Sequence, residues 1–204
     1  LMETAVKPYP SCRYGHANVD AALALRAELG LKAEEIESVT MGLPNKGMLL
    51  VGAPTQYKQN PQNVVDGQFY GTFVVACALA RGHFGWDSYA WLQDDDLRTL
   101  MKKILPQEDA EVEADFPEYM SGKLTVKARG QTFVKKVNIP KGEPANFLTE
   151  AELRAKFHGL ADAVLGAERA KQLADAVLSL DKAADVHGMM RLGAPMMAAR
   201  LAGE

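Results

Sequence analysis

Little in this sequence advertises a partner or a special compartment. Only two cysteines, Cys12 and Cys77, occur in 204 residues. Two thiols do not make a disulfide scaffold, and a reducing cytoplasmic setting is the simplest expectation. Long apolar runs are also lacking. The strongest, residues 73–80, falls far short of the ~20 residues that a membrane-spanning helix needs. The start has no charged-then-apolar signal pattern. The formal net charge is only −3, which leaves no basic footprint for nucleic acid. The longest run of like charge is Asp94-Asp95-Asp96, so no acidic or basic tail stands out. Internal repeats and low-complexity segments are absent.

What is present is an ordinary apolar share of 48%, enough for one large core or two small ones. Residues 2–7 read as a short strand. Because the first residues look like the middle of a strand, we expect the chain to be part of a longer protein. Residues 16–29 have helical spacing, with Ala21, Leu25 and Leu29 four apart and Gly30 as a stop. Ile36, Val39 and Met41 suggest a strand ended by Pro44. Residues 44–66 are rich in Gly, Pro, Asn and Gln and read as a long loop. Residues 66–80 then predict a buried helix, with a strand over 73–75 as the rival reading. Asp94-Asp95-Asp96 caps a further helix carrying Leu97, Leu100, Met101 and Ile104, which Pro106 ends.

Three strands are expected next. Val112, Ala114 and Phe116 alternate, as do Leu124, Val126 and Ala128. Arg129-Gly130-Gln131 turns into residues 133–139. This makes a hairpin whose wet face carries Lys123, Lys127, Lys135 and Lys136. The last third is helical. Thr149-Glu150-Ala151-Glu152 fits a capping box, followed by a stripe of Leu153, Phe157, Leu160 and Val164. A second helix covers roughly 167–180, with Leu173, Val177 and Leu180 on one side. Shorter helices are expected at 186–192 and 196–201. The sum is an α+β fold: a small, mostly antiparallel sheet with packed helices, then C-terminal helices. We expect an α+β domain over 1–148 and a helical segment over 149–204.

The residues most suited to chemistry are Lys7-Pro8-Tyr9-Pro10-Ser11-Cys12-Arg13-Tyr14-Gly15-His16. Two cations, a thiol, two phenols and an imidazole share one stretch. Pro8 and Pro10 remove two backbone donors and bar regular structure, which leaves a stiff loop between a strand and a helix. Such loops often present functional groups. Arg13 can grip a carboxylate with two parallel hydrogen bonds, and Lys7 adds a point charge. The helix that starts near His16 directs N–H groups at the same region. That field favours a neutral His16 able to take a proton near neutral pH. Blander roles stand beside these. Arg13 could hold a surface carboxylate, Cys12 could be a small buried hydrophobe, and His16 could cap its helix.

Three motifs in order then resemble the C-terminal domain of the MmgE/PrpD family, the 2-methylcitrate dehydratase-like and cis-aconitate decarboxylase-like proteins. They are Lys7-Pro8-x-Pro10-x-Cys12-Arg13-x-x-His16, Asp66-Gly67-Gln68-Phe69 before an apolar helix with Ala76-Cys77-Ala78, and Pro144-Ala145-Asn146-Phe147-Leu148-Thr149 before the capping box. The resemblance implies a metal-free, cofactor-free lyase, isomerase or decarboxylase for small di- and tricarboxylic acids. It implies catalysis by Lys7 and His16, with Arg13, Cys12 and Gln68 binding substrate. It also implies a homodimer and a helical N-terminal domain that supplies a His-Gly and acidic motif to the same site. That motif has no counterpart in this chain, so the isolated chain is expected to be catalytically incompetent or very weak. Gly15 and Tyr70 stand where Thr-like and Ser-like residues are common in relatives, which points to an altered substrate. The alternative is a non-catalytic organic-acid-binding or dimerisation domain. His83 and Trp86 are expected in a loop packed on the core, and His158 at a rim. His187 with Met189, Met190, Met196 and Met197 is expected on a soft apolar face.

Overall fold

The computed structural model describes residues 3–52 and 60–194. Its first helix, α1 (His16–Leu29), forms where the spacing predicts it and buries Val19, Ala21, Ala22 and Leu25. Strand β1 (Ile36–Leu43) follows and lies inside a four-stranded sheet of order β2-β1-β3-β4. Strand β2 (Ile104–Glu108) runs parallel to β1. Strands β3 (Gly122–Ala128) and β4 (Gln131–Val137) complete the sheet with antiparallel pairings, β3 to β1 and β4 to β3. The fold is α+β, as expected.

The path from β1 to β2 is more helical than the sequence suggests. It holds a single turn, α2 (Asn45–Gly47), a π-type turn over Met48–Gly52, and helices α3 (Val64–Gln68), α4 (Gly71–Arg81) and α5 (Asp95–Met101). The expected single helix over 66–80 is broken at Phe69-Tyr70. Asn63 caps α3 by accepting from the Asp66 N–H at 3.0 Å, and Tyr70 enters α4 in an extended conformation. Gly67 and Gly71, both poor helix formers, flank the break. The rival strand over 73–75 is absent; those residues are helical, and α4 is buried from Gly71 to Leu79.

Three further expectations are corrected. The helix after Asp94 stops at Met101, and Ile104 and Pro106 belong to β2. Pro106 is tolerated because β2 is an edge strand, where a missing donor matters least. Asp94 sits at the cap position without a side-chain cap bond; with Asp96 it takes Arg81 instead, at 3.2 and 2.9 Å. Residues 112–116 are not a strand. Helix α6 (Ala110–Asp115) occupies them, because Asp109 accepts from the Glu111 and Val112 N–H groups at 3.0 and 3.2 Å. A cap of this kind outweighs a short apolar alternation. Residues 3–7 form no strand either. Pro8 and Pro10 cannot donate to a ladder, and one bond remains, from the Val6 N–H to the Gly142 carbonyl at 2.9 Å.

Helices α1 and α4 pack together on the sheet. Phe73, Leu79, Met41, Leu43, Leu124 and Val126 meet in a single core there. The hairpin has the expected turn at Arg129-Gly130, both with positive φ. Its wet face differs in one residue. Lys135 pairs in register with the buried Leu124, opposite in face to Lys123, Lys127 and Lys136, and reaches Glu28 of α1.

Residues Leu1–Phe147 and Leu148–Glu204 form two compact units. The second contains α7 (Glu150–Leu165), α8 (Ala167–Leu178) and α9 (His187–Gly193). Thr149 and Glu152 close the expected capping box. The stripe behind it is only partly covered: Leu153 and Phe157 are half-buried, while Leu160 and Val164 are exposed. Val177, Leu180 and Met190 are also exposed. The helix expected over 196–201, with Met196 and Met197, lies outside the described residues. Among the described residues no helix is long and apolar enough to cross a membrane.

Candidate functional site

The proline-rich loop is held by its own carbonyls. Lys7 Nζ donates to the Ser11 carbonyl oxygen at 3.2 Å, and His16 Nε2 lies 3.2 Å from the same oxygen. A carbonyl can only accept, so His16 Nε2 carries a hydrogen. One oxygen thus gathers the two residues that the sequence singles out for chemistry. They differ in access. Lys7 is exposed, whereas the His16 ring is 2% exposed at the start of α1. In this conformation His16 supports the loop from below.

The remaining loop residues are fixed from three sides. Tyr9 stacks edge-on to His16, with ring centroids 5.3 Å apart, and its hydroxyl donates to Asp20 Oδ1 at 2.5 Å. Asp20 Oδ2 accepts from the Lys141 N–H at 2.7 Å, which ties α1 to the segment after β4. Tyr89 donates to the Pro10 carbonyl at 2.6 Å, and burial pushes its phenol pKa well up, so it remains a donor. Cys12 is half-buried; its N–H donates to the Gln68 carbonyl at 2.9 Å. Gln68 therefore meets the loop through its backbone.

Arg13 turns elsewhere. It opens a 3-10 turn, Arg13–Gly15, that leads into α1. Arg13 lines a cleft of about 340 Å³ together with Tyr119, Asn138, Glu143 and neighbouring residues. Among the described residues Lys7, His16, Cys12 and Gln68 do not line that cleft. The Arg13 Nη2 donates to Glu143 Oε1 in an ion pair. Its Nε is buried and has no partner among the described residues. The structure therefore groups Lys7 with His16, joins Cys12 to Gln68, and sets Arg13 in an adjoining cleft.

Residues 141–143, just before the Pro144-Ala145-Asn146 motif, are the part of the candidate site that the sequence did not reveal. Gly142 accepts from the Val6 N–H, Lys141 reaches Asp20, and Glu143 holds Arg13. The signal was faint: a carboxylate between Gly142 and Pro144, a turn pattern with no hint of its distant partner. Among the described residues no group of three or more His, Cys, Asp or Glu could hold a metal ion. An exposed ammonium, a guanidinium and the N-terminal end of α1 suit an organic anion.

Comparison with known proteins places this geometry. Residues 9–182 match the MmgE/PrpD C-terminal domain, a span that holds Cys12, Arg13, His16, Gln68 and Glu143 and begins just after Lys7. A cis-aconitate decarboxylase-like protein of Aspergillus oryzae, oryM, is 29% identical over 140 residues, which cover 66% of this chain and 28% of that protein. The matched stretch is thus little more than a quarter of that relative. With nearly the whole chain covered by the domain match, the chain belongs to the MmgE/PrpD family and carries its C-terminal domain.

Proposed function

We propose that this chain supplies the C-terminal share of a lyase or isomerase site for small di- or tricarboxylic acids, of the 2-methylcitrate dehydratase or cis-aconitate decarboxylase kind. The observation that carries the proposal is the convergence of Lys7 and His16 on the Ser11 carbonyl. Lys7 reaches solvent and moves the proton at the carbon next to a carboxylate. His16 holds the Ser11 carbonyl and so orients the Lys7 ammonium. Arg13 takes a carboxylate of the substrate, and Cys12 and Gln68 shape the wall between them. Such chemistry needs only proton transfer and charge stabilisation, so metal and cofactor are dispensable.

The proposal extends to partners and place. A helical N-terminal domain completes the site, the assembly is a homodimer, and the setting is cytoplasmic, with propionate metabolism as one fitting context. Support comes from the exposed Leu160, Val164, Val177 and Met190 in the second unit, an apolar surface of the kind that partners cover. The domain division at about residue 148 belongs to the same reading.

The test is a thermal-shift series with citrate, 2-methylcitrate, itaconate and cis-aconitate on the chain and on Lys7→Ala. A ligand at a hundred times its Kd stabilises by about 2.7 kcal/mol. The expected result is stabilisation by at least one acid that Lys7→Ala abolishes. No stabilisation by any acid refutes the proposal. Stabilisation without turnover when a helical half is supplied favours the second reading, an organic-acid-binding domain. Turnover of 2-methylcitrate or cis-aconitate by the chain alone refutes the need for that half.

A further inference from the structure

Arg13 is a guanidinium whose fork is half used. The Nη2 donor is taken by Glu143 Oε1, while Nε on the same edge is buried without a partner among the described residues. A buried donor left unpaired is costly, and structures keep few of them without a reason. Along the Nε–Nη2 edge the two N–H groups can donate in parallel to both oxygens of a carboxylate. Arg13 is among the residues that line a cleft of about 340 Å³, large enough for a small organic acid.

The carboxylate that holds Arg13 is also one that can leave. Glu143 sits on the turn at 140–146, whose backbone is held by the Val6 N–H bond to Gly142, the Lys141 N–H bond to Asp20 and a Glu143–Asn146 bridge, so it is the side chain, by rotation, that would withdraw. The cleft's other charged group, Glu118, is engaged by the Tyr119 hydroxyl, and that contact raises the phenol's pKa. With Glu143 in place the cleft carries two carboxylates against one guanidinium, so a free anion is disfavoured. With Glu143 withdrawn, Arg13 presents both donors.

We propose that Glu143 is an internal carboxylate that occupies the Arg13 seat in the resting protein, so that a substrate carboxylate must displace it. The inference rests on the reading of the Lys7–His16 loop as an organic-acid site. It makes Glu143 the residue that sets the affinity threshold for a carboxylate at Arg13. Glu143 is a gate on binding and takes no proton in the reaction.

The experiment is calorimetric titration of citrate into the chain, Glu143→Gln, Arg13→Ala, the Glu143→Gln/Arg13→Ala double variant and Lys7→Ala. Glu143→Gln keeps the shape and removes the charge. It is expected to tighten citrate at least about tenfold, the effect of losing one close competing charge. The same change in the Arg13→Ala background is expected to tighten it by less than about threefold, because only general repulsion is then relieved. Equal gains in both backgrounds, or no gain, overturn the gate. Lys7→Ala separates this from the underlying reading. If citrate binds equally well without Lys7 while Glu143→Gln still tightens it, the gate stands and the Lys7 reading falls. If Lys7→Ala abolishes binding while Glu143→Gln changes nothing, the reverse holds. Should Glu143→Gln not fold, the Arg13 Nε–H resonance of the unaltered chain decides. Citrate is expected to shift it, and no shift at saturating citrate overturns the proposal.

Discussion

Replacing Gly142 by alanine tests the wiring of the site more sharply than any change to its charged residues. Gly142 has a φ of +90°, and a Cβ there would run into the Val6 carbonyl oxygen and lie 2.9 Å from Pro8 Cδ. Gly130 offers the control: its φ is +69°, and nothing stands within 4 Å of a Cβ built on it. Left-handed backbone alone costs an L residue about 1–2 kcal/mol. Gly130→Ala should lose about that much. Gly142→Ala bears the same strain and must also push the 140–146 turn off residues 6–8. That forfeits the Val6 N–H bond to Gly142 and the Lys141 N–H bond to Asp20, about 1 kcal/mol each. The total is about 3–4 kcal/mol. In a domain of this size that is about 6–16 °C in Tm, against about 2–8 °C for Gly130→Ala. Thermal unfolding followed by circular dichroism gives the first number, and amide exchange at Val6 gives the local one. Equal losses in the two variants, or an unchanged Val6 exchange rate, would refute the claim that this turn is packed against the loop.

Two further predictions follow from single side chains. Cys77 is fully buried, and that burial pushes its thiol pKa well up, whereas Cys12 is half-buried on the loop. A thiol reagent on the folded protein should therefore modify Cys12 and spare Cys77, read by intact mass; two rapid modifications contradict the packing of α4. Glu35 receives Arg129 Nε and Nη2 at 3.0 and 2.6 Å, and that hydrogen-bonded pair, helped by the Lys32 N–H, lowers its pKa from 4.5 to about 2. A depressed carboxyl favours the fold above pH 4.5, and the benefit drains as pH falls towards 2. Arg129→Met should move the Glu35 carboxyl titration, followed by NMR, back towards 4.5. A titration unmoved by the substitution would show that Arg129 is not the cause.

What the sequence could show divides along the range of the interactions involved. Helix α1 was legible because Ala21, Leu25 and Leu29 repeat within one element and Gly30 stops it. The β3–β4 hairpin was legible because its turn and both strands are neighbours in the chain. Residues 112–116 misled because their alternation is real, while the decisive group, Asp109, acts as a cap just upstream. Pro106 misled because a proline reads as a helix stop, and only the sheet order shows that it lies in an edge strand.

The site shows the same division, with a sharper consequence. The loop from Lys7 to His16 is local, and its cations, prolines and imidazole announced themselves. The group that holds Arg13 is Glu143, distant in sequence and carried by a turn that is tied to the loop through Val6 and to α1 through Asp20. No spacing rule connects such residues, because the connection is made by the sheet that brings the end of β4 back beside the start of α1. Residues proposed for the chemistry can therefore be picked out from one segment. The residue that controls access to them becomes visible only when the fold returns a second segment to the first.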